Sequence, residues 1–321
     1  MIGKVDPDSL AEFVLGRTGA PDDRVLQGPA YGEDTAAIAL EDGILVVNAD
    51  PISLAVGRVG SLGIDVAAND VAASGADPEW LTSVVFLPGS GEALDPVTAQ
   101  LDEAARRLGV AIVGGHSEYV PALSNPMLVL TCFGLADSYV PTGGAEPGDR
   151  LLMTKSAGVE ATAILATDFR DRLAGKVPDA LLESAEGFYD RVSVVPEAAV
   201  LREYADAMHD PTEGGLVDGL LELAVASGVG LDVDPDAIPV REETRRLCAA
   251  VDVDPFRTFG SGALLAAVPE RSTTEALSAL DDAGVEASVV GTVHERETPA
   301  LVLGGETFEE PVRDDMYALW E

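Results

Sequence analysis

Short apolar runs closed by Gly, Asp or Asn recur along the chain, several with the aliphatic, β-branched composition of buried strands. Strands are predicted at 43–50 (GILVVNAD), 110–115 (VAIVGG), 127–136 (MLVLTCFGLA), 150–155 (RLLMTK), 262–268 (GALLAAV) and 286–294 (EASVVGTVH). Helical stretches interleave with them. Residues 61–76 (SLGIDVAANDVAASGA) form a small-residue helix pattern ending at Gly75, and 95–109 (DPVTAQLDEAARRLG) one that opens on an Asp-Pro cap and stops at Gly109. Two more helices are predicted at about 215–227 and 273–284. This interleaving predicts an α+β fold. Gly, Pro and acids cluster at 142–150 (TGGAEPGDR), which divides the chain into domains at 1–143 and 146–321.

The 321 residues are 47% hydrophobic, ample for two cores of ordinary size. With no basic-then-apolar leader pattern and no apolar run near the roughly 18 residues that span a bilayer, the expectation is a soluble cytoplasmic protein without membrane contact. Cys132 and Cys248 are the only cysteines, both in apolar surroundings, which predicts buried free thiols. Charge changes the picture more. Fifty-six acids against 20 bases give a net charge of −36, with three lysines (Lys4, Lys155, Lys176) and 17 arginines. Such a surface repels nucleic acid. Since molar salt shortens the screening length to about 3 Å, the charge is read as an adaptation to a salt-rich cytoplasm, the alternative being an acidic face for a basic partner.

Residues 209–221 (HDPTEGGLVDGLL) place special chemistry at a helix start. Pro211, Thr212, Asp210 and Glu213 all suit a capped N-terminus. Gly214 and Gly215 do not, since each costs about 1 kcal/mol relative to Ala in a helix, so either another backbone or a ligand phosphate must approach closely there. In the first half, acids fall where elements end: Glu33 and Asp34 in YGEDTAAI, Asp50 closing VVNAD, Asn69 and Asp70 in ANDVAASGA, and His116 and Glu118 after the Gly114-Gly115 pair of VGGHSEYV. Carboxylate oxygens in such a set suit Mg²⁺, which often bridges to substrate phosphates.

Taken together, GEDTAAI, NAD, ANDVAASGADP, VGGHSE and HDPTEGGL resemble, in order and spacing, the aminoimidazole ribonucleotide (AIR) synthase-related superfamily. Its members include selenophosphate synthetase, thiamine-monophosphate kinase and the hydrogenase-maturation carbamoyl dehydratase. The resemblance implies the two-domain PurM-like α+β fold, an N-terminal domain that pairs into a homodimer, and ATP with Mg²⁺ between the halves. A small-molecule substrate would be phosphorylated or activated at an oxygen, without a Walker A lysine.

Position by position, the resemblance assigns Asp34, Asp50, Asp70 and Asp210 to metal binding, with Glu33 where relatives carry Asp and Glu118 as a substitute ligand. It assigns Gly114, Gly115, Asn69, Gly214 and Gly215 to the nucleotide, the backbone N–H groups at Gly114 and Gly214 being aimed at phosphate. Asp210, Lys155 and His116 are the candidate catalytic residues. His116 stands where several relatives have Asp, although selenophosphate synthetases share the Gly-Gly-His pattern; it is either a phosphate donor or a loop residue. Lys155 ends a buried strand, where it meets either a phosphate or solvent, and Glu160 is either a functional acid or complements a helix dipole. The alternative to an enzyme is a nucleotide-binding sensor or scaffold. The turn lacks the Gly-Gly-Glu-Thr-Ala pattern of AIR synthesis, and no Cys lies in an N-terminal glycine-rich loop as in selenophosphate synthesis. The chain ends RDDMYALWE, without the Pro-Arg-x-Cys tail of the carbamoyl dehydratases, so no carbamoyl transfer to a C-terminal thiol is expected.

Overall fold

The computed structural model describes residues 3–89 and 93–321. After a short helix α1 (Pro7–Leu10), the first half builds a seven-stranded sheet from β1 (Val25–Gln27), β2 (Thr35–Leu40), β3 (Gly43–Asn48), β4 (Asp50–Ile52), β5 (Asp77–Leu87), β6 (Ala111–Tyr119) and β7 (Met127–Ala136). Their order is β1-β2-β3-β7-β5-β6, with β4 also on β7. Helix α2 (Val59–Ala73) and helix α3 (Leu94–Leu108) pack on one face, and α3 carries the chain from β5 to its parallel neighbour β6. The other face is only half covered: along β7, residues alternate between fully and partly buried.

The second half contains β8 (Arg150–Thr154), α4 (Val159–Thr167), α5 (Arg170–Leu173), α6 (Asp179–Glu186), α7 (Val195–Leu201), β9 (Ala207–His209), α8 (Gly215–Ser227), β10 (Gly230–Val233), α9 (Glu242–Val251), β11 (Leu265–Val268), α10 (Glu270–Asp282), β12 (Ala287–His294), β13 (Ala300–Leu303) and β14 (Glu306–Phe308). Its sheet runs β14-β13-β10-β12-β8-β11-β9. The fold is α+β with one sheet in each half. No helix among the described residues is long and apolar enough to cross a membrane. Both cysteines are buried free thiols, whose burial pushes each up to about 12.

Helix α2 joins the halves. It is apolar or small nearly all round, which is the pattern of a helix enclosed on every side. Val59, Ile64, Ala67 and Val71 pack on the first sheet, Leu62 and Val66 meet Val159 and Ile164 of α4, and Ala72 and Ala73 meet Val194 and Leu201. At its centre the Asn69 amide donates to Val192 O (3.0 Å) and accepts from Val194 N–H (2.7 Å). A polar side chain thereby stands in for a strand partner across the two halves.

Several elements differ from expectation. The predicted strand 43–50 is two strands, because Asn48 turns inward to donate to Ala67 O and Asp70 and to accept from Cys132 N–H. The central strand β5 escapes prediction because it opens on Asp77-Pro78-Glu79 and bulges between Pro78 and Trp80. Helix α3 begins after Ala93, so Asp95 lies inside its first turn and is not the cap. The Gly114-Gly115 pair is not a turn. It sits within β6, where the register with β5 shifts, and a Cβ on Gly115 (φ 152°) would lie 2.0 Å from Ser83 O.

Replacing Asn69 by Ala strands a buried carbonyl and a buried N–H at once. Asn69→Ala is expected to destabilise the protein by about 3 kcal/mol in urea unfolding; unchanged stability would show that the tie between the halves lies elsewhere.

Candidate active site

Three segments meet at one point: the entry to β2 with Asp34, helix α2 with Asp70, and the residue after β9, Asp210. One carboxylate oxygen from each lies within 4.8 Å of the others. Asp70 and Asp210 are buried, while Asp34 keeps 39% of its side chain open toward the cavity described below. Burial raises the Asp70 carboxyl well above its usual range, and Asp50, Asp210 and Asp34 add to the rise. Asp210 is raised in the same way, by burial and then by Asp34, against the pull of His209. Asp34 is pushed up to about 6 by burial, an effect that His209 moderates. Repulsion at such range marks a site built for a positive charge. Asn48 serves Asp70 with a 2.7 Å hydrogen bond, whereas the buried Asp210 Oδ2 has no partner among the described residues. That orphaned oxygen beside two other carboxylates fits a hard divalent cation.

Behind the acids runs a buried line of alternating charge that sequence reading passed over. His209 Nδ1 is 3.5 Å from Asp34 and its Nε2 is 3.0 Å from Glu222 on α8, which in turn receives Lys4 Nζ at 2.9 Å. Burial alone would lower the His209 pKa, but the hydrogen bond to Glu222 and the charge of Asp34 lift it to about 9. Burial alone would raise Glu222; Lys4 and His209 outweigh it and hold the carboxyl at about 2. His209 is therefore a cation at neutral pH, fixed against one edge of the acid cluster. The signals were present: a His beside Asp210 in a chain with three histidines, and one of only three lysines at position 4.

Beside the acids opens a cavity of about 420 Å³. Asp34, Asp50 and Asp70 line it together with Thr212, Glu213, Glu160 and Ser261, and Leu54, Leu62, Val66, Ile164 and Phe259 supply apolar wall.

Other residues assigned from sequence have different work. Glu33 is occupied at the linker, accepting from Tyr139 Oη (3.0 Å), Thr142 N–H (3.2 Å) and Gly143 N–H (3.0 Å). Both polar atoms of the Asn69 amide are used in the tie between halves. Lys155 ends β8 and spends its three donors on Glu197 (2.7 Å), Arg191 O (2.9 Å) and Ser193 O (2.7 Å), so none is left for a phosphate. Gly214 and Gly215 both have left-handed φ (83° and 67°). The Gly214 N–H is taken by the buried Asp314 carboxylate at 2.9 Å, and a Cβ on Gly215 would lie 2.4 Å from Thr258 O. Close approach of the Asp218 side chain at Gly214 and of the Thr258 backbone at Gly215 accounts for this glycine pair. Gly114, Gly115, His116 and Glu118 lie on β6, whose residues are all exposed, and His116 and Glu118 face each other at 3.5 Å without joining the buried acids.

Comparison with known proteins places the chain in a family. Residues 32–136 match the N-terminal domain of the AIR synthase related proteins, and residues 146–304 match the C-terminal domain. Carbamoyl dehydratase HypE of Azotobacter vinelandii is 32% identical over 279 residues, covering 81% of this chain and 78% of its own. In fold the chain resembles AaThiL complexed with AMPPCP and TMP (TM-score 0.76, 18% identity, 95% and 96% of the two chains). It also resembles hydrogenase maturation protein HypE in complex with ATP (TM-score 0.67, 24% identity, 95% and 94%). With both domain families matched in order and a relative this similar over most of its length, the chain belongs to the AIR synthase related family.

Proposed function

We propose that this protein is an ATP- and Mg²⁺-dependent enzyme that phosphorylates or activates an oxygen of a small substrate. The observation that carries the reading is the convergence of Asp34, Asp70 and Asp210, with an unpartnered carboxylate oxygen on Asp210, at the edge of a cavity large enough for a small molecule. Similar folds solved in complex with ATP or with AMPPCP support a nucleotide as ligand. Asp34, Asp70 and Asp210 would hold Mg²⁺, with Asp50 close by in the cavity wall. When bound, the ion supplies charge neutralisation for the nucleotide phosphates.

The remaining work falls to the chain. Asp210, buried and rigidly placed after β9, closes the site from the second half, while Asp34 and Asp70 define the first-half edge. His209, held cationic by Glu222 and Asp34, keeps Asp34 ionised and turned toward the cluster. The apolar wall of Leu62, Val66, Ile164 and Phe259 excludes water from the acceptor, so that an oxygen set against the γ-phosphorus meets little competition from hydrolysis. Lys155, fully engaged with Glu197, and His116, on the exposed strand, take no part in this step.

We also propose a homodimer through the first-half sheet. Strand β6 is an edge strand with every residue exposed, and Ile112 (41%), Val113 (59%) and Tyr119 (52%) offer apolar surface beside unpaired backbone. An edge of this length and polarity is a ready template for pairing. In such a dimer Gly114, Gly115, His116 and Glu118 lie at the subunit boundary.

Three tests follow from this reading. Asp70→Asn is expected to weaken Mg²⁺-dependent ATP binding in calorimetry at least about tenfold, a loss of roughly 1.4 kcal/mol. Asp77→Asn, which alters only an exposed pair with Arg202 (2.8 Å), should bind as the parent does. Equal binding by both variants would contradict the metal site, and stoichiometric binding without release of ADP or phosphate in a metabolite extract would favour a sensor. Light scattering at molar KCl should give a mass near twice 33.2 kDa, and a monomer across the micromolar range would contradict the dimer.

The third test removes metal. The cluster carboxyls have folded-state pKa values above the ordinary value, so the folded state holds more protons than the unfolded chain and their ionisation costs stability as pH rises above about 4, through about 6 for Asp34. His209 works in a different window: its raised pKa contributes stability in full below its usual value and loses it as pH rises toward 9. In EDTA the parent should therefore melt lower at pH 6 than its Asp210→Asn variant, which lacks one of these charges, with the gap narrowing toward pH 4. Identical melting curves at both pH values would refute the repulsion.

A further inference from the structure

The cavity continues past the acid cluster to Glu160 and Ser261, which the phosphate chemistry does not use. Glu160 sits in the first turn of α4, but it does not cap that helix. The N–H groups of Glu160 and Ala161 bond instead to the carbonyls of Ser261 (3.1 Å) and Phe259 (3.3 Å) from the neighbouring loop. The Glu160 side chain is left on the cavity wall, 8% exposed, in a setting where burial pushes its carboxyl up to about 7 and Ser261 moderates the rise. Ser261 is 1% exposed, lines the same wall, and its Oγ has no partner of hydrogen-bonding geometry among the described residues. A buried hydroxyl without a well-formed hydrogen bond, beside a buried carboxyl on the same cavity wall, marks a place where a ligand completes the bonding.

The charge of the lining selects the ligand. Among the described residues, the wall carries Asp34, Asp50, Asp70, Glu160 and Glu213 against a single base, Lys4, whose ammonium is already held by Glu222 at 2.9 Å. No uncommitted cationic side chain among the described residues of the wall receives a carboxylate or a phosphate once the cation at the acid cluster has taken the nucleotide. The same wall includes the apolar side chains of Leu62, Val66, Ile164 and Phe259.

We propose that Glu160 and Ser261 form the acceptor subsite, and that the acceptor is a small organic cation, an amine or amidinium on an apolar body. Its N–H donates to the Glu160 carboxylate in a charge-assisted bond, Ser261 Oγ adds a second contact, and the apolar body extends toward the acids, carrying at that end the oxygen that is phosphorylated. The inference rests on the metal–nucleotide reading for which end of the cavity holds phosphate, but the recognition of a cation by Glu160 can be tested without nucleotide.

Benzamidinium serves as the probe, with benzoate as its anionic counterpart, both titrated into the whole protein by calorimetry at pH 8 and molar KCl. The parent should bind benzamidinium at least roughly tenfold more tightly than benzoate, and Glu160→Gln should lose roughly tenfold for benzamidinium while binding Mg²⁺ as the parent does. Ser261→Ala should lose a smaller part. Absence of benzamidinium binding by the parent, equal binding of benzoate, or unchanged benzamidinium binding in Glu160→Gln would each overturn the proposal. Mg²⁺-ATP titrations of the same samples report on the other reading: lost nucleotide binding with cation selectivity intact would remove the metal–nucleotide site and leave this subsite standing.

Discussion

Mutual repulsion of three carboxylates, held on three separate segments and brought within 4.8 Å, is the constraint around which the site is built. Left to itself such a cluster would spread, since like charges at this range disfavour ionisation and no solvent reaches the two buried members. It stays assembled because each acid is fixed by different structure. Asp70 is on a helix enclosed by both halves and receives Asn48, Asp34 is drawn toward His209, and Asp210 follows β9, the buried edge strand of the second sheet. The cost of bringing them together is carried by the cores, and the gain we propose is a place for a divalent cation.

The polar groups around the cluster divide into two sets. One set reaches the cavity. The other holds the halves in the register that lets the first set meet: Asn69 bonds both polar atoms to Val192 and Val194, Lys155 neutralises the buried Glu197 beside that same segment, Glu33 caps the linker, and Asp314 fixes Gly214. Removing a strut would therefore disturb ligand binding without any contact to ligand, which is why a residue's presence in a motif is weaker information than the destination of its hydrogen bonds.

That distinction also explains what was legible from sequence. Helices α2, α3 and α8 and strands β7 and β8 were readable because small-residue periodicity, a glycine stop or an unbroken apolar run is a local property. The family was readable because its acids recur at fixed places along the chain. Asp34, Asp50, Asp70 and Asp210 were picked out together, yet Glu33 and Asn69 in the same motifs looked alike on paper; only the tertiary position of Tyr139 or Val192 separates strut from cavity wall. The Gly114-Gly115 pair reads as a turn closing a strand, yet it continues β6 beyond a bulge at Val113, in register with Thr82 and Ser83 of β5. His209, Glu222 and Lys4 were invisible as a unit, since a line of charge joining positions 4, 209 and 222 has no sequence spacing to recognise.

The central claim is that the converging carboxylates hold a divalent cation. Mn²⁺ replaces Mg²⁺ at oxygen sites and scatters anomalously, so a crystal soaked with Mn²⁺ and a non-hydrolysable ATP analogue locates the ion directly. The account predicts an anomalous peak with oxygens of Asp34, Asp70 and Asp210 at roughly 2 Å. A peak elsewhere on the acidic surface with the three carboxylates left unliganded would contradict it.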